Sequence, residues 1–241
     1  MRLKANKSLN FSKKSRSMKN IRFLIIHYTG MQSARVSMNR LKNPKSNVSC
    51  HYFLKRNGDI FRIVDDNKVA WHAGKSKWNN INNLNRYSIG IEIQNKGHLI
   101  NYQNFPKKQI FSLIKLIKKL MKKYKIKKEN VLGHSDIAPL RKLDPGEKFP
   151  WSFLSSKGVA TWYPKFKNKK FNFELKVQRK IFFKNIYKIG YRYFNLSKQS
   201  KKDRLVIKAF QRRFLPGEVS GKITAKTLKI SQLLSKNSNF T

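Results

Sequence analysis

A single cysteine, Cys50, rules out an internal disulfide framework and a cysteine cage for zinc. No apolar run approaches the ~18 residues that span a bilayer, so the chain is not read as transmembrane. Residues 1–20 are basic and contain no acid, yet no apolar stretch of the ~7–15 residues typical of a signal peptide follows them. They are expected to form a disordered basic arm without a Sec-type export signal. Acidic residues are scarce, 11 against 55 lysines and arginines in 241 residues, which gives a formal charge of +44. Such a surface attracts nucleic acid, anionic lipid or carboxylate-bearing wall material without choosing among them. Lysine greatly outnumbers arginine and asparagine is abundant, as an AT-rich coding bias would produce. Specific nucleic-acid recognition leans on arginine, so no specific nucleic-acid partner is expected.

Aromatic residues make up 12% of the chain, and its Ile, Leu and Phe clusters can fill packed cores. The length suits one large domain, or one of ~150 residues with a smaller companion. Ile21 to Thr29 is apolar on both sides of the alternation, as in a strand buried mid-sheet. Tyr52 to Val64, with Asn57-Gly58 between two apolar arms, predicts a hairpin with a type I′ turn. In Ser88 to Gln94 the isoleucines share one strand face, so Glu92 points to the other. Apolar residues at helical spacing predict an amphipathic helix from Lys107 to about Tyr124 that packs on a sheet. Asn130 to Gly146 reads as a short strand and a proline-broken loop. Three further helical patterns follow a basic stretch, the first ending at Gly190, the second running from Lys202 to Phe214 and the third starting at Thr224.

Five histidines are present. His27 ends a buried strand, where a sheet edge opens into a cleft, and His134 lies in Gly133-His134-Ser135-Asp136 at the mouth of the last strand. The loop that follows returns through Lys142 to Asp144, bringing a carboxylate near the second imidazole. Two imidazoles and one carboxylate match a catalytic zinc site that leaves a fourth position to water. Hydrolysis also needs a proton acceptor, which Glu92 can supply, and a cation near the developing oxyanion, which Lys142 can supply. Spacing alone leaves an ordinary His–Asp loop pair open. His51 neighbours Cys50 in a strand, so the two point to opposite faces and cannot serve one metal. Cys50 is read as buried and inert, and His98, after Gly97, as exposed in a turn.

The motifs Phe23-Leu24-Ile25-Ile26-His27-Tyr28-Thr29, Ser49-Cys50-His51-Tyr52, Trp71-His72-Ala73-Gly74, Ser88-Ile89-Gly90-Ile91-Glu92, Gly133 to Pro139, Lys142 to Gly146 and Phe149-Pro150-Trp151 occur in that order. Together they resemble the zinc-dependent N-acetylmuramoyl-L-alanine amidases of the AmpD and AmiD type. The resemblance implies an α/β fold, a mixed central β-sheet flanked by helices, with one Zn2+ per chain held by His27, His134 and Asp144. It implies that Glu92 is the general base, that Lys142 stabilises the transition state, and that Tyr28, Thr29, Trp71, His72, Ala73 and Gly74 contact substrate. The implied reaction cleaves the amide between N-acetylmuramic acid, or its anhydro form, and L-alanine of the stem peptide, in cell-wall turnover or recycling. Peptidoglycan or muropeptides are then the partners, with no obligatory protein partner.

Val177-Gln178, Ile189-Gly190-Tyr191, Val206 to Phe214 with its Ala209-Phe210-Gln211 core, Gly221 and Thr224 to Leu228 resemble a small three-helix peptidoglycan-binding domain. The expected organisation is therefore an arm over 1–20, a catalytic domain over 21–163, a linker over 164–172 and a separate three-helix domain over 173–236. A helical appendage that only stabilises the catalytic domain is the alternative. Alternatives for the whole chain are a catalytically silent peptidoglycan-recognition protein and a basic nucleic-acid-binding protein. The lack of an export signal favours the cytoplasm, whereas a wall-binding domain favours the periplasm or cell wall by a non-Sec route.

Overall fold

The structure, a computed structural model, describes residues 3–166 and 175–236. Its strands are β1 (Leu3–Ala5), β2 (Phe11–Ser12), β3 (Phe23–Tyr28), β4 (Tyr52–Leu54), β5 (Ile60–Arg62), β6 (Val69–Ala70), β7 (Lys77–Trp78), β8 (Ile81–Asn82), β9 (Ser88–Ile93) and β10 (Val131–Gly133). The helices are α1 (Ala34–Lys42), α2 (Lys107–Tyr124), α3 (His134–Ile137), α4 (Trp151–Ser156), α5 (Leu175–Ile189), α6 (Asp203–Phe214) and α7 (Ala225–Lys236). The central sheet has the order β1-β5-β4-β9-β3-β10 and is mixed, because only β4 and β5 run antiparallel. Strands β4, β9, β3 and β10 are parallel, so their carboxyl ends open at one edge, where ligands of α/β sheets bind.

Alternation sorts the core. Leu24 and Ile26 of β3, with Ile89, Ile91 and Ile93 of β9, pack under the apolar stripe of α2 and under Trp151 and Leu154 of α4. On the opposite face, Phe23, Ile25 and Leu132 meet Phe182, Phe183, Phe210 and Phe214 of the carboxyl-terminal helices. Farther along that face Phe53 packs with Leu41 of α1, Cys50 and Ile63. His27 and Glu92, paired in register on β3 and β9, lie on this second face between the two apolar clusters.

Three expectations are corrected here. The hairpin forms, but only Gly58 in its turn has positive φ (+91°), and Lys55 bonds Asp59 across three intervening residues. A type I′ turn needs positive φ at both central positions, so this is a longer loop closed by one left-handed glycine. Residues 3–20 are no loose arm: β1 extends the sheet beside β5, and β2 pairs with β6. Asn10 donates to the carbonyls of Asn43 and Val48, and buried Arg16 donates to those of Asp66 and Ser88.

The carboxyl-terminal helices form as expected, but not as a separate domain, since their aromatic residues complete the core of the sheet's second face. Asp136 of α3 seals that contact, buried while accepting from Arg213 of α6, from the Tyr191 hydroxyl (2.6 Å) and from the Gly133 N–H (2.7 Å). Within this unit Gln211 accepts from the Gly221 N–H and donates to the Lys222 carbonyl, so the residue that carried the domain resemblance braces a turn. Residues 167–172 of the expected linker lie outside the described residues. No helix among the described residues is long and apolar enough to cross a membrane.

Candidate active site

His27 is the fifth residue of β3, His134 opens α3 directly after β10, and Asp144 lies on the loop beyond it. The parallel pairing of β3 with β10 brings the two histidines together at the sheet edge. Their Nδ1 atoms are 2.9 Å apart, and each lies 3.0–3.1 Å from Asp144 Oδ2. Among the described residues this is the group of donors arranged to hold a metal ion. The fit rests on donor chemistry. His134 Nε2 is 3.1 Å from the Ala73 carbonyl, which can only accept, and 3.3 Å from Arg141 Nη2, which can only donate; a proton given to the nearer carbonyl turns the Nδ1 lone pair toward Asp144. Two imidazole nitrogens and a carboxylate oxygen converging in a buried place make a donor set that suits a metal cation.

Burial, then the neighbouring His134, pushes the His27 pKa down to about 4, leaving a neutral imidazole. Burial alone would raise the Asp144 carboxyl, but His134 and His27 outweigh it and hold the group well below the usual carboxylate range. Glu92 behaves in the opposite way. Burial, and next the charge of Asp144, raise its pKa well above the ordinary value, with Lys142 opposing. Its Oε2 is buried with no hydrogen-bond partner among the described residues, and the residue lines the same cleft. An unpartnered carboxylate oxygen of raised proton affinity is suited to accept a proton from a reactant in the cleft.

The cleft holds about 1000 Å3. His27, Glu92, His134 and Asp144 line it, together with the cations Arg40, Lys45, Arg141 and Lys142. Tyr28 and Thr29 also line it, although the Thr29 hydroxyl is engaged by the Asn95 carbonyl. The Tyr28 phenol, pushed up to about 12 mainly by burial, meets His98 Nδ1 at 2.9 Å. His98 is partly buried rather than free at the surface, because its Nε2 pairs with Glu147 at 3.0 Å and its ring stacks on Tyr102.

Of the Trp71–Gly74 motif, only His72 lines the cleft. Ala73 is wholly buried, Gly74 lies beneath the Arg141 guanidinium and Trp71 is 37% exposed outside the cleft. Cys50 is buried, and burial followed by the charge of Glu92 raises its thiol pKa far above normal. Sequence reasoning missed Arg40 and Lys45, which line the cleft, and Ser88, whose Oγ lies 3.2 Å from His72 Nε2. Ser88 was within reach, since it shares strand parity with Glu92.

Two imidazoles and a carboxylate placed to hold a metal, with a separate proton acceptor in an open cleft, define the class of a metal-assisted hydrolase. The chain belongs to the N-acetylmuramoyl-L-alanine amidase family, whose model matches residues 17–147. It is 34% identical over 233 residues to the amidase AmiD of Escherichia coli, covering 89% of this chain and 82% of that protein. It is 44% identical over 111 residues to the 1,6-anhydro-N-acetylmuramyl-L-alanine amidase AmpD of Haemophilus influenzae, covering 45% of this chain and 58% of the relative. The structure of E. coli AmiD in complex with anhydro-N-acetylmuramic acid-L-Ala-D-gamma-Glu-L-Lys superposes with a TM-score of 0.81 at 30% identity, over 95% of this chain and 93% of that one. AmpDh3 of Pseudomonas aeruginosa superposes at 0.79 with 27% identity, over 95% and 96% of the two chains. Both matches extend over the carboxyl-terminal helices, in keeping with a fold in which those helices belong to the core.

Proposed function

We propose that this chain is a zinc-dependent amidase that hydrolyses the bond between the lactyl group of N-acetylmuramic acid, intact or anhydro, and L-alanine of the stem peptide. The observation that carries the reading is the convergence of His27 Nδ1, His134 Nδ1 and Asp144 Oδ2 in a cleft that also contains the unpartnered oxygen of Glu92. Family membership and the substrate named with the AmiD structure supply the bond to be cut.

In this reading His27, His134 and Asp144 hold the ion. Zinc bound there supplies Lewis acidity, polarising the scissile carbonyl and making water acidic near neutral pH. Glu92 takes the proton of the attacking water as the new C–O bond forms at the lactyl carbonyl. Lys142, which acts electrostatically on both His27 and Glu92, places a cation near the oxygen where negative charge develops. Glu92 then returns the proton to the alanine nitrogen as the C–N bond breaks, leaving a muramyl carboxylate and a peptide with a free amino terminus. Arg40, Lys45 and Arg141 make the cleft walls basic, matching a substrate whose stem peptide bears several carboxylates.

The test is mass spectrometry of muropeptides incubated with the purified protein, with and without chelator. Release of free stem peptide starting at L-alanine, abolished by chelation and restored by zinc, is the expected result. Absence of release from both anhydro and intact substrates by the zinc-loaded protein would leave a wall-recognition role instead.

A further inference from the structure

The segment Trp71–Gly74 turns polar atoms toward both histidine ligands. The chain of contacts begins at a fixed acceptor, the Leu84 carbonyl, to which Ser88 Oγ donates its one proton at 2.7 Å. Toward His72 Nε2, 3.2 Å away, Ser88 therefore offers a lone pair, and Nε2 of His72 carries the proton. A neutral imidazole has a single N–H, so His72 Nδ1 is an acceptor. His27 Nε2 lies 3.1 Å from it and must be the donor. This leaves the lone pair of His27 on Nδ1, the atom that faces His134 and Asp144.

The Ala73 carbonyl stands in the same relation to the second ligand, 3.1 Å from His134 Nε2 and placed to accept its proton, with Arg141 Nη2 3.3 Å from that nitrogen and donating to the same carbonyl. Asn85 joins the two supports, its Oδ1 accepting from the His72 N–H at 3.1 Å and the Ala73 N–H at 2.7 Å. The seat of the His72 ring is also specified. A Cβ at Gly90 would lie 2.3 Å from His72 Cγ, so only glycine at this point of β9 lets the ring settle between Ser88 and His27.

We propose that Ser88, His72 and the Ala73 carbonyl form an outer shell that fixes both imidazoles as Nδ1 ligands, making Ser88 and His72 positioning residues that set zinc affinity. The proposal rests on the metal site described under the proposed function. Removing outer-shell partners of ligating histidines typically weakens metal binding by about 10–100-fold.

Zinc affinity of the full chain, measured by competition with a chromophoric chelator, tests it without reference to turnover. Ser88→Ala should bind zinc about 10–100-fold more weakly than wild type. His72→Asn puts an amide oxygen where Nδ1 stood, an acceptor that needs no proton choice, and should stay near wild type. In that background Ser88→Ala should have no further effect, whereas a purely structural role for Ser88 would weaken both backgrounds alike. Zinc affinity of Ser88→Ala within twofold of wild type, or an equal loss in both backgrounds, overturns the proposal. If Ser88→Ala does not fold, long-range 1H–15N spectra of the metal-free wild type decide: His72 protonated on Nε2 supports it, and protonation on Nδ1 overturns it. Failure of wild type to bind zinc would overturn the metal reading itself, whereas tight binding indifferent to Ser88 overturns only the outer shell.

Discussion

Replacing Arg213 by methionine tests whether the carboxyl-terminal helices and the catalytic sheet are one cooperative body. Arg213 and Asp136 are respectively 3% and 1% exposed, and the pair joins α6 to the turn that begins with His134. In Arg213→Met the Asp136 carboxylate keeps the Tyr191 hydroxyl and the Gly133 N–H but loses its cationic partner, while the Val131 carbonyl loses its bond from Nη2. Removing one member of a buried ion pair costs about 3–5 kcal/mol. Arg213 Nε already lacks a hydrogen-bond partner among the described residues, and methionine retains some of the packing against Trp151, which favours the lower end, about 3 kcal/mol. With a urea slope of about 1–3 kcal/mol/M, the midpoint should fall by roughly 1 M or more in a single transition. Tryptophan fluorescence reports on both parts, since Trp151 lies in the sheet layer and Trp78 packs on Tyr191. A shift below roughly 0.3 M, or two separate transitions with only the weaker one displaced, would refute the shared core and restore a tethered domain.

Glu92→Gln should retain zinc and lose turnover by about 10²–10⁴-fold, measured as rates of stem-peptide release; wild-type rates would move the base elsewhere. Asp144→Ala should lose bound zinc in elemental analysis, because two imidazoles alone make an incomplete donor set; full retention would remove Asp144 from it. Burial, and next the charge of Arg16, hold the His51 pKa at about 3, below its unfolded value near 6.5. The unfolded chain therefore binds the extra proton first, so this contribution is present above pH ~6.5 and is lost as pH falls from there toward about 3. Urea midpoints of the metal-free protein should drop across that window, and a flat profile would contradict it. Cys50 should resist an aromatic disulfide reagent until the protein unfolds, and rapid labelling of the native state would contradict its burial.

The strands and helices that position the site were legible because each has a strong periodicity. The isoleucines of β9 set its two faces, and the lysine-rich stripe of α2 marked its outer side. The donors His27, His134 and Asp144 could be read from strand ends and a returning loop, and the structure brings them together. What escaped depended on long-range packing. Strands β1 and β2 are only three and two residues long, too short for a period, and Arg16 looked like tail charge until the carbonyls that bury it were in place. The apolar faces of α5 and α6 would serve either an independent bundle or a docked one, and buried Asp136 with Arg213 distinguishes the two. His72 was legible as part of a motif, but its engagement with His27 depends on a fold that brings residues 45 apart in sequence together.

The central claim is hydrolysis of the lactyl–alanine amide, and running the reaction in 18O-enriched water tests it most directly. The zinc-loaded protein should place one 18O in the muramyl carboxylate and none in the released peptide, whose new terminus is the L-alanine amine. Label in an alanine carboxylate would show cleavage on the other side of that residue, and no label in either product would contradict hydrolysis at this bond.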